Sequence, residues 1–244
     1  MNTLSRKQRE IQEREQLILD VARRMLLERG YLGVTMDRIA EKIEYSKGTV
    51  YQHFSSKEDV LVALAAETTR KRAEYFKRAA LYQGATRDRM WAIGVADDLF
   101  VRLYPAHWQA EQIIRAASIQ SKATRERLGT LESTEMDCFN AVSGIIRDAI
   151  AQGDLEMNKG DAPEDIAFGL WSMSFGAHFN VASNPNLESM GFGDLDLTLR
   201  RNYNALLDGY GWRPLSSEID YTETRMRVLE QVFAEEGRRA GLLS

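Results

Sequence analysis

Few residues of this chain have the chemistry that catalysis or metal binding requires. It has three histidines, His53, His107 and His178, and a single cysteine, Cys138. One cysteine excludes an internal disulfide and a multi-cysteine metal site. The sequence also has no phosphate-binding glycine-rich loop, no nucleophile elbow and no metal-ligand spacing of histidines. We therefore expect neither an enzyme nor a cofactor, and the candidate residues are those that bind other molecules.

The distribution of charge indicates which partners the chain can bind. Its 244 residues carry a formal net charge of −4, which taken alone argues against a nucleic-acid partner. Residues 1–80, however, hold 16 Lys and Arg against 12 Asp and Glu, a net +4, whereas residues 81–244 hold 16 against 24, a net −8. The negative net charge of the whole chain therefore comes from residues 81–244, and the weakly basic N-terminal segment remains compatible with DNA binding.

The N-terminal segment has the pattern of consecutive helices. No proline occurs before Pro105, and no stretch of the chain shows the sustained alternation that is typical of a strand. A first helix over about 8–29 is followed by Gly30, a residue that suits the end of a helix. Thr35 then predicts the N-cap of a second helix of only about two turns. The fold class that we expect is all-α.

The third and fourth predicted helices follow closely. Ser46 predicts the N-cap of a third helix over 47–54, and Ser55 with Glu58 predicts a capping box at the start of a longer fourth helix. Two short helices joined by a tight turn and flanked by two others form a helix-turn-helix. This motif binds DNA in many proteins, but its spacing is shared by other small helical hairpins.

The residues of the motif resemble those of a known family. The run TMDRIA over 35–40 is followed by YSKGTVYQHF over 45–54 and by SKED over 56–59. Together they resemble the DNA-binding domain of TetR-family transcriptional regulators, across about residues 12–65. The resemblance implies an all-α homodimer whose variable C-terminal domain binds a small ligand. It also implies that helix 47–54 is a recognition helix lying in the major groove.

By that resemblance, eight residues contact DNA: Thr35, Lys47, Gly48, Thr49, Tyr51, Gln52, His53 and Lys57. Lys47, Thr49 and Gln52 could read base edges, although Lys47 could instead contact a phosphate. The glycine lets the start of the helix approach the duplex closely, and the remaining four match contacts to the DNA backbone. Tyr51 could alternatively pack on the first helix, and His53 could simply cap the end of its own helix.

The turn inside the motif departs from the family pattern. Ile43-Glu44-Tyr45 stands where the family usually has a small residue, a glycine and a hydrophobic residue. If the turn needs a left-handed residue, Glu44 costs about 1–2 kcal/mol relative to glycine. Its carboxylate would also lie near DNA phosphates, which reduces affinity.

Aromatic residues of the C-terminal region could line a ligand cavity or simply pack in the core. Glu135 interrupts the apolar stripe of a helix predicted over 125–152, so its carboxylate lies either at the edge of that helix or inside a cavity. The candidate ligand-binding residues are Phe100, Tyr104, Trp108, Glu135, Phe139, Trp171, Phe175 and His178.

A helix predicted from Asp161 towards Ser183 is apolar nearly all round. Such a helix must be covered on both sides, which in a chain of this size means its own core and a second subunit. This pattern favours a dimer independently of the family resemblance. The helix that joins it in the interface could be 194–207 or 218–233.

The sequence thus predicts an all-α protein with a helix-turn-helix DNA-binding domain over 1–60 and a ligand-binding and dimerisation domain over 61–244. We expect a ligand-responsive transcriptional repressor that binds a pseudo-palindromic double-stranded DNA operator as a homodimer. A small, largely apolar effector would release it; the alternative is a regulator with a filled core and no effector. The longest uncharged stretch, 166–187, is too polar for a membrane span, so we expect a cytoplasmic protein.

Overall fold

A computed structural model describes residues 5–116, 119–184 and 186–244 of the chain. Over these ranges it contains helices and no strand, which confirms the all-α prediction. Single-turn 3₁₀ helices occupy Ile119–Lys122 and Glu188–Met190. The α-helices in chain order are α1 (Arg6–Gly33), α2 (Met36–Lys42), α3 (Lys47–His53), α4 (Lys57–Ala80), α5 (Thr86–Leu103), α6 (Pro105–Ala116), α7 (Arg125–Gln152), α8 (Pro163–Ser183), α9 (Leu195–Gly209), α10 (Tyr221–Val232) and α11 (Ala234–Arg239).

The local signals in the N-terminal sequence act as predicted. Gly30 has a φ of 64° and interrupts the helical backbone near the end of α1, a conformation that costs glycine little. The hydroxyl of Thr35 accepts a hydrogen bond from the backbone N–H of Arg38, and that of Ser46 accepts one from Thr49. These caps satisfy N–H groups that have no partner within the helix, and they set where α2 and α3 begin.

The capping box predicted from Ser55 and Glu58 is wrong by one residue. The N-cap hydroxyl belongs to Ser56 and accepts from the backbone N–H of Asp59 at 3.1 Å. The Asp59 carboxylate in turn accepts from the backbone N–H of Ser55 at 3.3 Å. Because α4 starts at Lys57, Asp59 is its third residue, the position of the acidic residue in a capping box. Glu58 instead accepts a hydrogen bond from the Tyr31 hydroxyl.

The described residues divide into two compact units, the first within 1–71 and 104–136, the second within 72–103 and 137–244. α4 continues through residue 60 without a break. The predicted division into domains 1–60 and 61–244 stays a prediction. The core of the first unit is continuous from the helix-turn-helix to α6 and the beginning of α7. Its buried side chains include Ile18, Leu26, Ile39, Val50, Phe54, Leu61, Ala110, Ile114 and Leu131.

The second unit has an aromatic core crossed by one buried cation. Trp91 stacks on Tyr221 with ring centroids 5.8 Å apart and meets Tyr203 edge-on at 5.2 Å. The fully buried Arg87 donates to the carbonyl of Trp212 at 2.6 Å and pairs with Asp208 at 2.7 Å. This pairing satisfies a charge that would otherwise be costly to bury.

Candidate nucleic-acid interface

α3 presents one face to solvent and the other to the core. Val50 is fully buried and Phe54, which follows the last helical residue, is 2% exposed. Lys47, Gly48, Tyr51 and Gln52 are exposed on the opposite face, at the i, i+1, i+4 and i+5 spacing of one helix side. The apolar anchors therefore fix the rotation of α3 and point four of the predicted contact residues outward.

The turn before α3 is a Schellman motif built without glycine. The backbone N–H of Tyr45 donates to the carbonyl of Ala40, and that of Glu44 to the carbonyl of Glu41. Glu44 adopts a φ of 58°, the left-handed conformation that this motif requires and that usually selects glycine. The left-handed conformation, which the sequence left as a condition, is present at Glu44, and Glu44 carries the strain.

The beginning of α3 is organised by its cap. The hydroxyl oxygens of Ser46 and Thr49 lie 2.8 Å apart and share a hydrogen bond. This bond orients the Thr49 side chain, which is half-buried, before any partner arrives. The backbone of Gly48 is open to solvent, since a Cβ built there would meet nothing nearer than the Ser46 hydroxyl at 3.8 Å.

Lys47, the first residue of α3, is held by the helix before it. Its Nζ atom lies 2.6 Å from the Oδ2 atom of Asp37, and both side chains are largely exposed. Asp37 is in the first turn of α2, where the helix dipole favours a carboxylate. Asp37 is not among the predicted site residues, because no local spacing pattern links it to a lysine ten residues later.

Lys57 is held in a similar way at the start of α4. Its ammonium group lies 4.0 Å from the centroid of the Tyr31 ring, within the range of a cation–π interaction. The Tyr31 hydroxyl donates to the Glu58 carboxylate at 2.6 Å, and this hydrogen bond, ahead of burial and of the nearby negative charge, raises the pKa of Tyr31. A phosphate contact by Lys57 therefore starts from a side chain that is already placed.

The other predicted backbone contacts lie in different environments. Tyr51 is 48% exposed. Thr35 is half-buried at the cap of α2. The His53 side chain is only 7% exposed and lies with Nδ1 3.7 Å from a carboxylate oxygen of Glu15 on α1. Its contact with DNA stays a prediction that needs this side chain to turn outward.

The predicted ligand-binding residues are divided between the two units. In the first unit Trp108 is buried, and Tyr104 meets His107 edge-on and lies 4.8 Å below the ammonium group of Lys71. The Glu135 carboxylate accepts from Arg115 at 3.0 Å and is 37% exposed. It therefore occupies the edge position, one of the two that its sequence position left open.

In the second unit Phe100 is fully buried and stacks with the Arg72 guanidinium, whereas Phe139 is half-buried. Trp171 and Phe175 belong to a ladder of aromatic rings along α8. His178 lies 3.7 Å from Asp97 and borders a cavity of about 50 Å³, room for one or two water molecules. Other residues around this cavity are Trp91, Asp98, Asp196, Arg200, Tyr203 and Arg225.

Two other kinds of site are not found within the described ranges. No group of three or more His, Cys, Asp or Glu side chains there is placed to hold a metal ion. None of the described helices combines the length and apolar character needed to cross a bilayer.

Comparison with known proteins identifies the N-terminal domain. Residues 18–64 match the family model of bacterial regulatory proteins of the tetR family. The chain is 43% identical over 65 residues to the HTH-type transcriptional repressor AcnR of Corynebacterium diphtheriae, which covers 27% of this chain and 34% of that repressor. The chain thus spans about a third of that relative's length.

About four fifths of the chain is similar in fold to solved bacterial regulatory proteins. A tetR-family regulatory protein from Rhodococcus RHA1 superposes with a TM-score of 0.57 at 19% identity, over 76% of this chain and 95% of that one. The transcriptional regulator FadR of Bacillus subtilis, solved in complex with stearoyl-CoA, gives 0.59 at 18% identity, over 80% and 98%. The family match over residues 18–64 and this shared fold agree with the exposed face of α3: the N-terminal domain is similar to the DNA-binding domain of bacterial regulatory proteins of the tetR family.

Proposed function

We propose that the chain is a DNA-binding transcriptional repressor that acts as a homodimer in the cytoplasm. The observation that carries this proposal is the solvent-facing side of α3, where Lys47, Gly48, Tyr51 and Gln52 project away from a buried Val50 and Phe54. An α-helix with a small residue near its start and amide and ammonium groups on one face suits the major groove. Relatives that share this domain carry the name of repressors.

In-vitro selection from a library of random duplexes tests DNA binding without assuming an operator sequence. We expect a two-fold symmetric consensus whose half-sites are about 34–36 Å apart, one turn of DNA. Fluorescence anisotropy on the selected duplex then separates the contacts. Lys57→Ala should weaken binding to all sequences and flatten the salt dependence, whereas Gln52→Ala should change sequence preference. A library in which no sequence is enriched would contradict the proposal.

The proposal of a homodimer is based on the exposed aromatic face of α8. Phe168 is 63% exposed and Trp171 52%, and their rings meet at 5.9 Å. Phe175 and Phe179 extend the ladder with centroids 6.3 Å apart. A contiguous aromatic surface of this kind marks an interaction site in a soluble protein. A second copy is the natural occupant, since two-fold symmetry would match the two half-sites of an operator.

A small-molecule effector would release the repressor from DNA. FadR of Bacillus subtilis was solved with stearoyl-CoA, so an acyl-CoA is a reasonable first probe for this chain. The alternative is a regulator with a filled core and no effector. Thermal shift distinguishes the two, because a ligand at a hundred times its dissociation constant adds about 2.7 kcal/mol to the unfolding free energy.

A further inference from the structure

The beginning of α7 is docked against the end of α3. The Arg127 Nη2 atom donates to the backbone carbonyl of His53 at 3.0 Å and lies 3.3 Å from the Glu15 carboxylate. The guanidinium carbon sits 4.5 Å from the centroid of the Phe54 ring. One side chain therefore contacts the last residue of α3, the residue after it, and a carboxylate of α1.

A second hydrogen bond joins the residue just before α7 to the first turn of α4. The backbone N–H of Thr124 donates to the Asp59 carboxylate at 2.8 Å. Asp59 is 2% exposed, and its other carboxylate oxygen accepts from the hydroxyl of Ser55 in the α3–α4 turn. The start of α7 thus holds the turn that follows α3 at two points. The backbone N–H of Thr124 binds Asp59, and the side chain of Arg127 binds the His53 carbonyl.

The C-terminal end of α3 requires contacts from outside the helix to be stable. An isolated helix of seven residues is too short to be stable in water, and the carbonyls of its last turn lack partners within the helix. A cation at that end complements both the free carbonyl and the helix dipole. The face that would contact DNA lies on the same two turns, so any tilt of α3 displaces all of those contacts together.

We propose that Arg127 is a positioning residue for DNA recognition. It fixes the C-terminal end of α3 through the His53 carbonyl and the Phe54 ring, and it sets the affinity for the specific site without itself contacting DNA. This inference rests on the proposed DNA-binding function. It also makes the first turn of α7 a part of the recognition apparatus, although the turn lies 74 residues from His53 in sequence.

The test compares Arg127→Gln with Arg127→Lys and with a control in the same turn, Arg125→Gln. Arg125 is exposed, so its replacement removes an equal charge without removing the contacts to α3. Anisotropy is measured on the selected duplex and on an unrelated one, over a range of salt. Hydrogen exchange of the Phe54 amide, which donates to Val50 at 3.0 Å, reports the end of α3 directly.

We expect Arg127→Gln to weaken specific binding about tenfold, the loss that one charge-assisted hydrogen bond implies, while non-specific binding and the salt slope stay unchanged. Exchange at Phe54 should accelerate. Arg127→Lys keeps the charge and a donor and should recover part of the affinity, and Arg125→Gln should match the wild type. A lower salt slope, or an unchanged ratio of specific to non-specific affinity in Arg127→Gln, would overturn the inference alone. A wild-type protein that selects no sequence overturns the proposed function, and this inference with it.

Discussion

The ammonium group of Lys47 lies 2.6 Å from the carboxylate of Asp37, so the first residue of α3 is ion-paired with the helix that precedes it. A base edge or phosphate that binds Lys47 must compete with this carboxylate. Exposed pairs of this kind contribute about 0–1 kcal/mol, so the competition reduces affinity modestly and does not prevent binding. Asp37 also brings a negative charge close to the approaching DNA backbone.

Asp37→Asn should therefore raise DNA affinity about two- to fivefold at low salt. The gain should shrink at high salt, because exposed charges are screened there. Glu41→Gln, at an exposed position of the same helix, removes the same charge without releasing Lys47. Anisotropy titrations at two salt concentrations measure both variants. Equal gains in the two would mean that net charge alone, and not the release of Lys47, controls the affinity.

Glu44→Gly should stabilise the protein by about 1 kcal/mol. The φ of 58° at Glu44 is strained for a residue with a side chain, and glycine removes that strain at some cost in unfolded-state entropy. Glu44→Ala separates backbone from charge: alanine keeps the strain but removes the carboxylate. Denaturant unfolding should show a gain for glycine alone, whereas DNA affinity should rise in both variants. A stabilisation by alanine as large as that by glycine would contradict this explanation.

The sequence predicts local features of the interface well and distant pairings poorly. The caps at Thr35 and Ser46 depend on neighbouring residues, and both are found where expected. The left-handed turn that the sequence left as a condition is present at Glu44. Arg127 meets His53 across 74 positions, and no periodicity encodes such a contact. Adjacent serines explain the misplaced capping box at α4, because either hydroxyl can cap a helix and only the packed start of the helix selects one.

The C-terminal region shows the same distinction. The sequence leaves Phe100 either lining a ligand cavity or packed in the core, and in the structure it is fully buried. Residue types alone do not reveal whether a buried ring faces another ring or an open volume, because both environments require the same ones. Likewise Glu135 stands out in the sequence as a charge on an apolar stripe, but its partner Arg115 lies on another helix.

Gly48→Ala should leave the fold intact and impair DNA binding. A Cβ at this position has room, and alanine favours a helix over glycine by up to about 1 kcal/mol. If the start of α3 lies against DNA, the added methyl group should weaken specific binding about tenfold or more. Gly129→Ala is the matched control, since a Cβ there also meets nothing and the position is exposed on α7. Loss of melting temperature in Gly48→Ala would show that the effect on DNA is indirect.

The Asp59 carboxylate should make stability depend on pH in the acid range. Burial pushes its pKa up, but hydrogen bonds from Ser55 and Thr124 together outweigh burial and hold the pKa below its ordinary 3.8. A depressed carboxyl pKa contributes stability that is complete above the unfolded value and disappears as the pH falls through the folded value. The contribution should thus be constant from neutral pH to about pH 5 and decrease below 3.8.

Asp59→Asn should therefore lower the unfolding free energy at neutral pH by about 1.5–3 kcal/mol, the range for hydrogen bonds to a charged group. Urea unfolding at several pH values between about 3 and 7 should show the difference from wild type narrowing at the acid end. Glu28→Gln, an amide exchange at an exposed position of α1, supplies the baseline. If the difference in unfolding free energy between wild type and Asp59→Asn stays constant down to the lowest pH, the loss of stability comes from the fit of the asparagine side chain and not from the loss of charge.

Phe168→Glu should dissociate the proposed dimer, because the side chain is 63% exposed in the single chain and would be covered by a second copy. Two-fold symmetry places the substitution in the interface twice, and an unpaired buried charge costs several kcal/mol. Met190→Glu is a matched control, an equally exposed apolar side chain that lies outside α8. Sedimentation at micromolar concentrations should show monomers for Phe168→Glu and dimers for Met190→Glu. Since each operator half-site needs its own recognition helix, the monomer should also bind the selected duplex far more weakly. The reverse pattern, a dimer in Phe168→Glu and a monomer in Met190→Glu, would place the interface on the segment after α8 and leave the aromatic ladder without a subunit to cover it.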